Sequence, residues 1–171
     1  MITSSIRANQ IRRTLAVAFL GLLLTACSTV TLISDYDEST DKALTVIQQT
    51  SDDFITKLVA DASSDKNAFE KHKQFYDNAD EQLRRLEFRV TSIPKNSKTV
   101  KLVGDIRASL LGDGKCSVDG GSLKDLHCNP EALAKGPSKM SLQLAQRNLN
   151  QTIGAALALE LAKKQGLEQN K

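Results

Sequence analysis

One stretch constrains this chain more than any other. Phe69, His72, Tyr76, Ala79, Leu83, Leu86, Val90 and Ile93 recur at steps of 3, 4, 3, 4, 3, 4 and 3. That spacing keeps side chains on one seam of an α-helix. Phe75 and Phe88 widen the seam, while Asp77, Asp80, Glu81, Arg84, Arg85 and Glu87 take much of the remaining surface. Pro94 ends the element, because Ile93 before it is biased out of the helical region. A helix of this length is about 40 Å long, enough to set the height of a bundle.

The rest of the chain supplies partners. Asp35 followed by Glu38 fits a capping box that opens a first helix, with Tyr36, Ala43, Ile47, Phe54 and Leu58 near a helical period. Ala62-Ser63-Ser64-Asp65 is a break and a fresh cap. Ser97 is placed to cap a third, shorter helix bearing Val100, Val103, Ile106 and Leu110, stopped by Gly112 and Gly114. Lys115 to Gly136 reads mostly as loop, with a short turn from Asn129 carrying Pro130 in the favoured first position. Ser138 precedes a last helix running from Lys139 to about Lys164, before Gly166. Its Ile153–Ala162 stretch is apolar on nearly every side, so it is expected to be the most buried part of the protein, packed centrally against the 69–93 seam. With no Trp and 4% aromatic residues, the core must be mainly aliphatic. No strand pattern competes. The expectation is an all-α, antiparallel four-helix bundle over residues 35–171. A disulfide-closed loop between the third and last helices folds over the end that the short helix leaves uncovered.

The formal charge of +3 on 171 residues misleads. Residues 1–26 hold Arg7, Arg12 and Arg13 and no acid, and setting those three aside leaves 20 basic against 20 acidic side chains. A balanced remainder argues against a nucleic-acid footprint and against a polybasic membrane patch. The basic lead is followed by the uncharged run Leu15–Leu24 and then Thr25, Ala26 and Cys27, the order of an export signal too short to span a membrane comfortably. Leu24-Thr25-Ala26-Cys27 resembles the lipobox of bacterial envelope lipoproteins. The resemblance implies a signal peptide over 1–26, cleavage before Cys27 and acylation of Cys27 as the new N-terminus. It also implies, through Ser28 rather than an aspartate, transfer to the outer membrane of a Gram-negative cell, facing the periplasm. Residues 27–34 are then a tether reaching about 25 Å at most.

Only Cys116 and Cys128 remain for the folded body. An oxidising envelope favours their pairing, closing a loop worth about 3 kcal/mol on the chain-entropy estimate. Two unpaired thiols remain the alternative. A metal site with His127 fits poorly, because the thiols lie far apart in sequence and the histidine adjoins one of them. No metal or cofactor is expected from these residues. Glu-x-x-His units, a Gly-x-Ser-x-Gly elbow and a phosphate loop are all missing, and no catalytic residue is nominated. His72 falls among aromatics on the seam, where a partly buried, hydrogen-bonded histidine is the plain reading.

Two functions are carried forward. In the first, the protein is a non-catalytic interaction or assembly module for another envelope protein, with Asp119, Lys124, Asp125 and His127 as the exposed polar set of the loop. In the second, it binds a small molecule or lipid in a cavity lined by Phe54, Phe69, His72, Tyr76 and Leu83.

Overall fold

Four long helices and one short one make up the fold in a computed structural model that describes residues 33–169. The signal 1–26, the acylation site Cys27 and most of the tether lie outside the described residues. Helix α1 spans Glu38–Ala60, α2 Phe69–Ser92, α3 Ser97–Leu111, α4 Leu123–Cys128 and α5 Lys139–Gln169. Among the described residues there is no strand, and the all-α class is as expected.

Contacts at matched heights fix the directions. Arg89 near the end of α2 binds Asp37 at the start of α1, and Arg107 of α3 reaches back to Asp80 and Glu87 of α2. Thr99 at the start of α3 meets Glu160 late in α5, while Gln146 and Asn150 early in α5 donate to Asp52 of α1. Each neighbour therefore runs antiparallel to the next. The close helix pairs are α1 with α2, α2 with α3, α3 with α5 and α5 with α1, a closed four-helix ring.

That ring corrects one expectation. The seam of α2 faces α1 and α3, and α5 packs on α1 and α3 from the opposite corner. Nor is Ile153–Ala162 uniformly buried: Ile153, Ala156 and Glu160 are inside, while Ala155, Ala158 and Ala162 are exposed and Leu161 is 55% exposed. In a ring of four, each helix has two close neighbours, so an all-round apolar helix still buries only one stripe.

The core matches the spacing except at Phe88, which was expected to widen the seam of α2 but turns away from it and is 76% exposed, while Phe75 is half-buried. Tyr76, Leu83, Leu86 and Val90 of α2 join Leu44, Ile55 and Leu58 of α1, Val103, Ile106 and Leu110 of α3, and Leu142, Leu149 and Ile153 of α5. Capping differs in detail. Asp37, not Asp35, caps α1, its carboxylate accepting from the Thr40 amide at 3.0 Å. The Arg89 guanidinium holds that carboxyl well below the usual range against the opposing cost of burial, and Thr40 hydrogen bonds add to the lowering. Ser64 caps a single 3-10 turn, Asp65–Asn67, inside the expected break. Ser138 accepts from the Ser141 amide and opens α5 as expected, but α5 runs through Gly166 to Gln169.

Where the chain enters α1, a buried polar cluster ties three segments together. Ser34 hydrogen-bonds through its amide to the Lys95 carbonyl at 3.1 Å and through its hydroxyl to Asn96 at 2.8 Å. Asn96 stands before α3 where a cap belongs, yet its side chain makes no cap; it donates to the Val90 carbonyl and accepts from Lys163. Lys163 also donates to Thr99 at 2.8 Å and Glu160 at 2.6 Å. Both partners of that ion pair are buried, and the second Glu160 oxygen makes no hydrogen bond. Lys163 thus does more than complement a helix end.

Candidate functional site

The opposite end of the bundle is built on α4. Ser122 adopts an extended backbone before the helix and its hydroxyl accepts from the Asp125 amide at 3.0 Å. Asp125 returns the favour to complete a capping box, accepting from the Ser122 amide at 3.3 Å and the Ser122 hydroxyl at 2.5 Å. Its other oxygen accepts from the Ser117 amide at 3.0 Å. The backbone closes tightly round this carboxylate. Gly112 sits at φ 60° with Asp125 against it, and a Cβ on Gly120 would collide with the same side chain. Cys128, the last residue of α4, is bonded to Cys116 across a Cα separation of 5.5 Å. The disulfide expected from the cysteine count is present. The loop is more ordered than expected, with a capped helix where irregular chain was anticipated.

This arrangement corrects the exposed polar set. Asp119 is exposed and Lys124 half-buried, its ammonium on the Gly114 carbonyl at 3.1 Å. Asp125 and His127 are buried, 3% and 0% exposed. They are internal struts of the loop, not contact residues.

His127 is the link between α4 and the bundle. Its Nε2 lies 2.6 Å from the Asn67 carbonyl, which can only accept, so Nε2 carries the proton. Nδ1 is then free to accept from the Tyr76 hydroxyl at 2.8 Å. Burial pushes the His127 pKa below its ordinary 6.5, the Asn67 bond opposes this, and nearby His72 adds to the lowering. Burial also raises the Tyr76 pKa well above 10.0, so the hydroxyl stays a donor.

Around this pair the sequence-nominated aromatics do converge. Phe54 stacks on Phe75 with centroids 3.6 Å apart and meets Tyr76 and His72 edge-on. Phe69 packs on Tyr76 and edge-on to His127. His72 is half-buried and bonds to the Lys66 carbonyl at 3.0 Å, much as its position suggested. The rings fill the space between them, and Leu83 lies deeper on the seam at 0% exposure. Asn67 escaped the sequence reading. Its amide donates to the Leu58 carbonyl at 2.6 Å while its own carbonyl holds His127, and no local pattern announces either bond.

An apolar cleft of about 320 Å³ opens elsewhere, between α1 and α2. Ala43, Val46, Ile47 and Leu86 form its floor and Lys42, Arg85 and Arg89 its edges. Those cations are paired with Glu38, Glu81 and Asp37. Among the described residues, no group of three His, Cys, Asp or Glu side chains could hold a metal ion. No described helix is long and apolar enough to cross a membrane.

No protein-family model, curated protein or solved structure matches the chain. The disulfide-closed end therefore has to be read from its own chemistry. It joins a rigid, cross-linked frame to exposed apolar side chains: Val118 is 66%, Leu133 45%, Met140 80% and Leu144 52% exposed. All four belong to segments at this end, and none is needed by the core beneath.

Proposed function

We propose that the protein is a lipid-anchored, periplasm-facing envelope lipoprotein that works as a non-catalytic interaction module. The anchor is the acylated Cys27, delivered to the outer membrane. The module's contact surface is the disulfide-closed end. One observation carries this reading: at the end opposite the one where the chain enters, Val118, Leu133, Met140 and Leu144 stand exposed close to the disulfide-closed frame. Apolar side chains held out on a locked frame lose little conformational freedom on binding, which is how a small surface gains affinity. Asp119 and Lys124 lie beside them as polar rim residues.

A photo-crosslinking side chain in place of Val118 or Met140, in intact envelope, tests this. A discrete adduct is expected from both positions and none from Gln151, exposed on the side of α5. No adduct from the disulfide end, or the same adduct from all three positions, would refute it.

The binder reading moves rather than disappears. The aromatic rings near His72 pack on one another, but the cleft between α1 and α2 has an apolar floor sized for part of an acyl chain. Native mass spectrometry showing a carried-through lipid that is lost in Ala43→Phe would favour it.

A further inference from the structure

We propose that the end of the bundle from which the tether emerges rests on the phospholipid surface, so that the protein stands upright. This rests on the lipid-anchor reading and deepens it. Ser34 is 8% exposed and fixed to Lys95 and Asn96, so no slack can be drawn from the body of the bundle. The leash is Cys27 to Ile33, which spans about 25 Å at most when fully extended. The bundle is longer than its leash, since the 24 residues of α2 rise about 36 Å. The tethered end is thus held beside the bilayer at high effective concentration, and weak contacts suffice there.

That end carries contacts of the right chemistry. Ile33 is 40% and Leu167 39% exposed, and Lys95, Lys98 and Lys164 are exposed around them, the Lys164 ammonium also lying 5.7 Å from the Tyr36 ring. Lys163 is level with Asn96 and Thr99 at the start of α3, so the last turn of α5, with Leu167, projects past the bundle end. Asp35 and Glu38 are the exposed acids nearby, and Glu38 is paired with Lys42. Lysines surrounding projecting aliphatic side chains suit an interface of anionic headgroups over acyl chains. Along the sides, Arg84 with Asp80, Arg85 with Glu81 and Lys101 with Asp105 make ion pairs, the pattern of a solvated helix face, and the exposed Val46, Phe88 and Leu161 are scattered singly among them.

The chain has no Trp, so one introduced residue reports alone. Full-length protein made with its signal is checked for acylation by mass. It is then reconstituted in phosphatidylethanolamine–phosphatidylglycerol vesicles with and without brominated chains. Leu167→Trp should show blue-shifted emission that brominated lipid quenches, while Leu133→Trp, at the far end, should be unaffected. In Lys95→Gln/Lys98→Gln/Lys164→Gln the quenching at position 167 should weaken with the melting curve retained. Acylated protein that floats with vesicles but shows solvent-exposed emission in Leu167→Trp overturns the upright contact and leaves the anchor standing. A blue shift without quenching means that a second copy or another protein covers this end, and also overturns it. A chain without acyl groups that does not float ends both readings.

Discussion

At the scale of single residues, the disulfide-closed end depends on Asp125, whose capping box with Ser122 is local, and on His127, whose partners lie far away in the sequence. Asp125 accepts from two amides and a hydroxyl. Asp125→Ala leaves the Ser117 and Ser122 amides without their acceptor, at about 1–3 kcal/mol for each that stays buried. Hydrogen exchange in segment 116–128 should accelerate well before α2 unprotects. His127 gives a pH signature. Its folded pKa lies below the unfolded 6.5, so its neutral form favours folding. That contribution is fully present above 6.5 and fades as pH falls through the folded value. Melting curves across this range should therefore show wild type losing its advantage over His127→Gln as pH falls below 6.5. A gap that widens on acidification would contradict the buried neutral tautomer. A place inside the cysteine-bounded loop predicts a surface role for His127. Its burial is decided by Tyr76, 51 residues away, which no spacing rule reports.

At the scale of elements, legibility followed length. The α2 seam extends over several turns, and every position but His72 and Ile93 is buried. Its test is a pair of neighbouring substitutions. Leu83→Asp places a carboxylate at 0% exposure, costing several kcal/mol against a typical stability of about 5–15 kcal/mol. Arg84→Asp loses an exposed pair with Asp80 and sets two carboxylates one turn apart, together worth about 1 kcal/mol. Equal costs would disprove the seam. Helix starts depend on contacts that the local sequence does not carry. Asp35 and Asp37 are both good caps, and the choice falls to Asp37 because Arg89, from another helix, fixes its carboxylate. The six residues of α4 do carry Ser122-x-x-Asp125, but glycines around it masked the signal. Lys163 shows the same limit from the other side. Lys163→Met would leave Glu160 buried and uncompensated, destabilising by about 3–5 kcal/mol. Glu160→Gln/Lys163→Met should recover most of that loss in denaturant melts, because the two charges act as a unit. An additive double variant would show that they do not.

At the scale of the whole molecule, the antiparallel ring separates two chemically different ends. The tether side holds Ser34, Asn96, Glu160 and Lys163 in a buried polar cluster, with Ile33 and Leu167 exposed; the far side holds the aromatic cluster, the disulfide and the exposed Val118, Leu133, Met140 and Leu144. Fold class, the four long helices and the cysteine pair were legible because they depend on periodicity and counting; the short α4 was not. Which helices touch was not, since diagonal and adjacent packings of α2 and α5 satisfy the same apolar pattern. The functional reading rests on what this two-ended body is attached to, so the most direct measurement is the intact mass of mature protein taken from its native envelope. The expected species lacks residues 1–26, carries acyl groups on Cys27 and has the mass of the oxidised Cys116–Cys128 pair. A species that begins elsewhere without acyl groups, recovered in the soluble fraction, would contradict the lipid-anchored module.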